Sequence, residues 1–222
     1  MTNKKILAIL SVLIFCQISF SRAFAKEYTL EGDFGVTGRL VNVNGNEAKF
    51  NEYGDIRDGF YSGGYLNYDS EDYFLDLKAS DIAYDTQHYR LDAAKWGSIK
   101  YFFDFREIPH NYTFDAKTFY SGAGTDNLRG TPNTNVKSWS SFDYAVDRKE
   151  YGTGFKLDML RPFFIDISAS REDLDGTRRR AAEGGIGFGN TAEIPEPVDF
   201  TTNTVKLELY NCRANPPSNS KS

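Results

Sequence analysis

Apolar and polar residues take turns along most of this chain. Leu30, Gly32, Phe34, Val36, Gly38 and Leu40 share one parity, and Glu31, Asp33, Gly35, Thr37 and Arg39 the other. Tyr73, Leu75, Leu77 and Ala79 alternate with Phe74, Asp76, Lys78 and Ser80, and Tyr89, Leu91 and Ala93 with His88, Arg90 and Asp92. The same period runs through Ile99–Phe105, Phe142–Val146, Tyr151–Asp158, Phe163–Ser170 and Val205–Leu209. A period of two places successive side chains on opposite faces of a strand. No long window carries the i, i+3, i+4, i+7 spacing of an amphipathic helix. The pattern predicts an all-β chain of about nine strands.

Ser70-Glu71, Tyr84–Thr86 and Arg148–Glu150 read as short turns between consecutive strands, which makes an antiparallel up-and-down meander. Pro109 is expected to stop a strand and open one long connection from Arg106 to about Lys137. Glu172–Pro197, with Arg178–Arg180 and the Gly184–Gly189 run, reads as a second irregular stretch whose glycines suit a turn or bulge. Short and long connections do not segregate cleanly to opposite ends in this reading.

Such alternation fits a soluble sandwich, with its apolar faces in a core, or a membrane barrel, with apolar side chains toward lipid and polar ones toward the lumen. The polar faces here are charged, as in Asp76/Lys78 and Lys206/Glu208. Tyr68, Tyr73, Tyr84, Tyr101 and Tyr151 sit near strand ends, where interfacial girdles would lie. Both features favour an antiparallel up-and-down transmembrane β-barrel. The rivals are a small outer-membrane channel and a periplasmic β-sandwich that binds carbohydrate through exposed aromatics.

Residues 1–25 read as a cleaved signal peptide, with Lys4 and Lys5, the apolar stretch Ile6–Phe15 and the A-x-A site Ala23-Phe24-Ala25. Removing it, and Cys16 with it, leaves Cys212 alone, so no internal disulfide is expected. Residues 26–210 would form the barrel portion and 211–222 an atypical polar tail. Lys4, Lys5 and Arg22 are the charged residues of that leader, so the remainder nets -8, which excludes a nucleic-acid binder. Aromatic residues make up 15% of the chain, too many for a disordered one.

Nothing in the sequence points to an enzyme. There is no G-x-S-x-G elbow, no phosphate loop and no C-x-x-C-H haem attachment site. The two histidines, His88 and His110, lack zinc spacing, and Asp72, Asp76, Asp81 and Asp85 lack that of an EF-hand. His110 reads either as a ligand or as a residue fixing a loop mouth, the second being the commoner case. Asn111-Tyr112-Thr113 is a chance glycosylation triplet.

Glu107-Ile108-Pro109-His110-Asn111 after an aromatic strand resembles the family of MtrB and PioB, outer-membrane barrels of bacterial porin–cytochrome complexes. Asp58-Gly59-Phe60-Tyr61, Asp175-Gly176-Thr177-Arg178 and Ile194-Pro195-Glu196-Pro197 extend the resemblance from about Glu47 to Tyr210. It marks Gly59, Phe60, Glu107, Ile108, Pro109, His110, Asn111, Pro195 and Pro197 as structural signature positions, with no catalytic, cofactor-binding or metal residues. It implies a large barrel in the outer membrane that ensheathes a periplasmic multihaem c-type cytochrome and meets an extracellular multihaem cytochrome. Haem would belong to the partner, not to this chain. Family barrels are longer, so the chain is expected to supply only an N-terminal part of one. It also lacks the cysteine pair that some members carry near the mature N-terminus.

Overall fold

A computed structural model describes residues 27–130, 135–158, 162–183 and 191–211. The leader, the Gly184–Gly189 run and the tail after Asn211, with both cysteines, lie outside them. The strands are β1 (Tyr28–Arg39), β2 (Gly59–Ser70), β3 (Tyr73–Ile82), β4 (His88–Lys95) and β5 (Ile99–Thr118). A one-turn helix, α1 (Glu47–Phe50), lies between β1 and β2. The short β6 (Tyr120–Ser121) and β7 (Arg129–Gly130) pair with each other, and β8 (Ser140–Leu157), β9 (Phe163–Glu183) and β10 (Thr191–Asn211) complete the set.

Eight strands form one sheet in the order β1-β2-β3-β4-β5-β8-β9-β10. Every pair is antiparallel, so the predicted meander is what forms. Among the described residues β1 and β10 do not pair with each other, and the barrel wall is an open arc.

Three expectations change. Arg148–Glu150 is no turn: it lies inside β8, where Lys149 pairs with Glu107 and Glu150 with Arg106, so nine expected strands become eight long ones. Pro109 does not end β5, which pairs with β8 as far as Thr118, and the long connection shrinks to residues 119–139. Glu172–Glu183 and Thr191–Pro197 are the paired arms of a hairpin, with Arg178–Arg180 in register opposite Glu196, Pro195 and Ile194.

The connections do segregate. The β2–β3, β4–β5 and β8–β9 strand ends meet at one end of the sheet, and the β1–β2, β3–β4, β5–β8 and β9–β10 ends at the other.

Register explains the faces. The cross-strand row Leu66, Leu77, Leu91, Phe103, Thr153, Ala169, Val205 lies on one face, beside the row Tyr68, Leu75, Ala93, Tyr101, Phe155, Ile167, Leu207. Among the described residues no second layer covers this face: Tyr68 is buried within the sheet, but Phe34 in β1 is 67% exposed, and Val205 and Leu207 in β10 are 77% and 63% exposed. A sandwich would bury this face against another sheet; here it is a bare apolar band. Toward the long-loop end the band meets Tyr89, Phe105 and Tyr151, whose rings lie 5.9 and 4.8 Å apart in sequence. Beyond them comes the charged row Glu107, Lys149, Asp173 and Thr201.

At that row the pattern inverts. In β5, β8, β9 and β10 the apolar residues of the outer segments (Ile108, Tyr144, Val146, Leu174, Val198) lie on the opposite, polar face. Thr118, Tyr144, Val146 and Val198 are buried there, while Thr177 and Pro195 are buried on the other face of the hairpin. The long strands therefore cross from a region that rewards apolar side chains outside to one that rewards them inside.

Candidate functional site: a charged wall and a loop clasp

Residues i and i+2 of a strand share a face, and so do cross-strand partners. On the polar face this builds a lattice of ion pairs. Arg90 reaches Asp92 through Nε at 2.6 Å and Asp104 through Nη1 at 3.4 Å. His88 Nε2 meets Asp104 at 3.0 Å, Lys78 meets Asp76 at 3.2 Å, and Lys206 meets Glu208 at 2.8 Å. Arg148 bridges Glu150 and Glu172. Exposed pairs of this kind add little stability each; their effect is a highly charged wall whose charges cancel locally.

Phe102 breaks the polar pattern. Its ring lies against Gly152 and Gly154 of β8, where an added Cβ on Gly154 would come within 2.7 Å of it. Beside these glycines the wall holds a depression of about 330 Å³ lined by Asp104, Glu150, Ser170, Glu172, Thr202 and Thr204.

Most signature residues gather elsewhere, at the long-loop end. Glu107 is buried, accepts from Gln87 Nε2 at 2.6 Å and pairs with Lys149 at 3.0 Å. Its backbone N–H donates to Gln87 O, and that of Asn111 donates to Glu52 O at 2.8 Å. N–H groups of one parity face one neighbour, so the missing donor of Pro109, midway between, falls where β4 has already ended. That is why proline is tolerated mid-strand. The His110 ring stacks on Tyr53 at 4.3 Å and touches Tyr112 at 4.0 Å. It fixes a loop, and among the described residues no group of His, Cys, Asp or Glu could hold a metal ion. Asn111 Nδ2 donates to Asn51 O at 2.7 Å. Ile108 is half-buried on the polar face.

The Asp58–Tyr61 motif serves the same loop. Val41 N donates to Asp58 Oδ1 at 2.5 Å, closing the neck of residues 41–58. Gly59 adopts φ +148°, beside Tyr84; Phe60 points outward, exposed. Tyr61 packs edge-on to Tyr84 under the Arg39 guanidinium. Tyr84 is buried, not part of a girdle, and its hydroxyl donates to Arg57 O at 2.9 Å. Replacing Tyr84 by Phe should loosen this loop by about 1 kcal/mol, the usual worth of such a bond, read as faster amide exchange in residues 55–58.

Asn51, Tyr53 and Gln87 escaped the sequence reading, because only the fold brings them to β5. Pro195 is fully buried and Pro197 pairs with Thr177 in the hairpin; the Glu107–Asn111 clasp does not include them. Burial and a Glu193 hydrogen bond push the nearby Tyr144 phenol up to about 12. Arg178 and Arg180 hold the Glu196 carboxyl below its usual range.

Burial raises Asp85, which also feels Arg57, Asp55 and Glu107. Burial likewise raises Asp147, next to the charges of Asp85 and Glu107. A carboxyl raised on folding binds its proton more tightly when folded, so its charge opposes folding above the raised value. That opposition fades as pH falls toward the unfolded value of about 4. Amide protection at this end, corrected for intrinsic exchange, should therefore rise from neutral pH into this window, and rise less in Asp147→Asn. Protection falling steadily across it would contradict this.

Residues 42–215 match the family model described as "Putative outer membrane beta-barrel porin, MtrB/PioB". The chain is also 26% identical over 148 residues to "Outer membrane protein MtrB" of Shewanella baltica (strain OS185), a match covering 62% of this chain and 21% of that protein. It thus spans about a fifth of the length of that relative.

Proposed function

The chain belongs to the MtrB/PioB family of outer-membrane β-barrel porins, and from that premise we propose that it forms part of a wide barrel ensheathing a multihaem c-type cytochrome. The role is structural. The wall keeps lipid off the haem protein and offers it a polar, locally neutral surface, while electrons cross the outer membrane on the partner's haems. An extracellular multihaem cytochrome would meet the assembly at its outer mouth. Short turns face the periplasm in outer-membrane barrels and long loops the exterior, so residues 40–58 and 119–139 would lie outside the cell. Export would use the cleaved leader at residues 1–25.

The observation that carries this reading is the open arc. Eight strands can close with an interior just wide enough for side chains, yet β1 and β10 stay apart, as befits a wall of a larger barrel. Unpaired backbone is costly in hydrocarbon, so both edges call for further strands. Affinity purification of the chain from outer membranes, with those strands present, should bring down a haem-staining c-type cytochrome. Charge reversal at Asp104 and Glu172 should weaken that recovery. Stable insertion of the 222-residue chain alone, as a heat-modifiable monomer without haem, would overturn the proposal in favour of a small channel.

A further inference from the structure

β2, β3 and β4 stop at Gly59, Ile82 and His88, while β5 runs on to Thr118. Beyond Arg106, β5 loses its β4 neighbour, and residues 41–58 take that place. We infer that this segment is a hinged latch at the long-loop mouth, closed on His110 and Asn111 and able to open without disturbing the sheet. The inference rests on the polar face lining the barrel interior, not on the identity of what fills it.

The closed state is held mainly by polar contacts. Asn111 bonds the carbonyls of Glu52 and Asn51, Tyr53 stacks on His110, and Arg39 Nη1 donates to Asp55 O at 3.4 Å. Arg57 pairs with Asp55 at 3.1 Å and with Asp85 at 3.3 Å. Apolar anchoring is modest: Ala48 is buried and Val41, Val43 and Ile56 are half-buried, but Tyr53 is 62% exposed and Phe50 48%. Segments with few buried apolar contacts open at lower free energy than the ladders that hold them. α1 is a single turn capped by Asn46, whose Oδ1 accepts from Lys49 N at 2.9 Å, so it moves as one small body. Gly45, inside the neck and just ahead of α1, holds φ +142°, a conformation that suits a hinge. The neck bond from Val41 to Asp58 keeps the two hinge strands together when the tip swings away.

Tip and receptor meet at two side chains, which gives the test. In outer-membrane vesicles holding the full chain, trypsin should cut after Lys49 slowly. The double variant His110→Ala/Asn111→Ala should be cut there about tenfold faster, as expected for losing the Asn111 Nδ2 hydrogen bond and the ring stack while the backbone bond to Glu52 stays. Cleavage after Lys95, at the short-turn end, serves as the reference for global unfolding and should not change. A second variant, Tyr53→Cys/His110→Cys, should protect Lys49 when oxidised and lose that protection on reduction. Equal cleavage at Lys49 in the wild type and the double variant would overturn the latch, as would an oxidised cysteine variant cut as fast as its reduced form. Haem recovery plays no part in these readouts, so failure here is separable from failure of the cytochrome reading.

Discussion

Replacing Gly176 by alanine should destabilise the protein by about 4 kcal/mol, a loss at the extreme of single substitutions. Gly176 holds φ +146°, a backbone region that L side chains avoid. An added Cβ would stand 2.2 Å from Ala145 O and 2.8 Å from Val146 Cα, both backbone atoms of β8. Neither can yield without opening the β8–β9 ladder at its last pair, Val146 with Gly176. Gly152→Ala is the control: its nearest neighbours would be Phe102 at 3.8 Å and Asp104 at 3.9 Å, ordinary contact distances. Urea unfolding in lipid should find the Gly152 variant within about 1 kcal/mol of wild type. Similar midpoints for both variants would refute the assigned geometry at Gly176.

The second large effect tests the apolar band. Leu75 lies in its middle, between Tyr68 of β2 and Ala93 of β4. Arginine there should cost about 2–4 kcal/mol of folding free energy in lipid, the range for a cation at mid-bilayer on an outward face. Asp76, one residue along, faces the charged wall and pairs with Lys78. Asp76→Asn removes an exposed ion pair and should cost under about 1 kcal/mol. Folding of each variant into bilayers of defined thickness decides between a lipid-facing band and a solvated one. Equal tolerance at both positions would mean that the band is wet.

The band was legible in the sequence because a period of two needs no tertiary knowledge. Leu75, Leu77, Leu91 and Phe103 declare one face by parity alone. What escaped was the inversion. Phe142, Tyr144 and Val146 alternate in one phase, and Tyr151, Phe155 and Leu157 in the other. A parity change reads as a break, so Arg148–Glu150 looked like a turn between two strands. In the structure the chain runs straight through, and only the surroundings change, from an exposed apolar band to a small buried cluster. Ile194, Val198 and Phe200 were missed in β10 for the same reason, with prolines adding to the impression of a loop. The signature around Pro109 was visible as a motif. Its use as a clasp was not, since Glu52 and Tyr53 reach it only after β4 has ended short of it.

Unequal strand length shapes the entrance. From Arg106 to Thr118, β5 runs beside Glu150–Ser140 of β8, about 33 Å of strand past the aromatic row. β8, β9 and β10 rise with it, whereas β4 starts level with Arg106. The rim is thus a parapet on one flank and a sill on the other. A body seated in the opening would be buttressed from behind by the tall hairpins and left accessible from the low side. A molecule entering this mouth from the low flank would come over that sill, past residues 41–58 and 83–87.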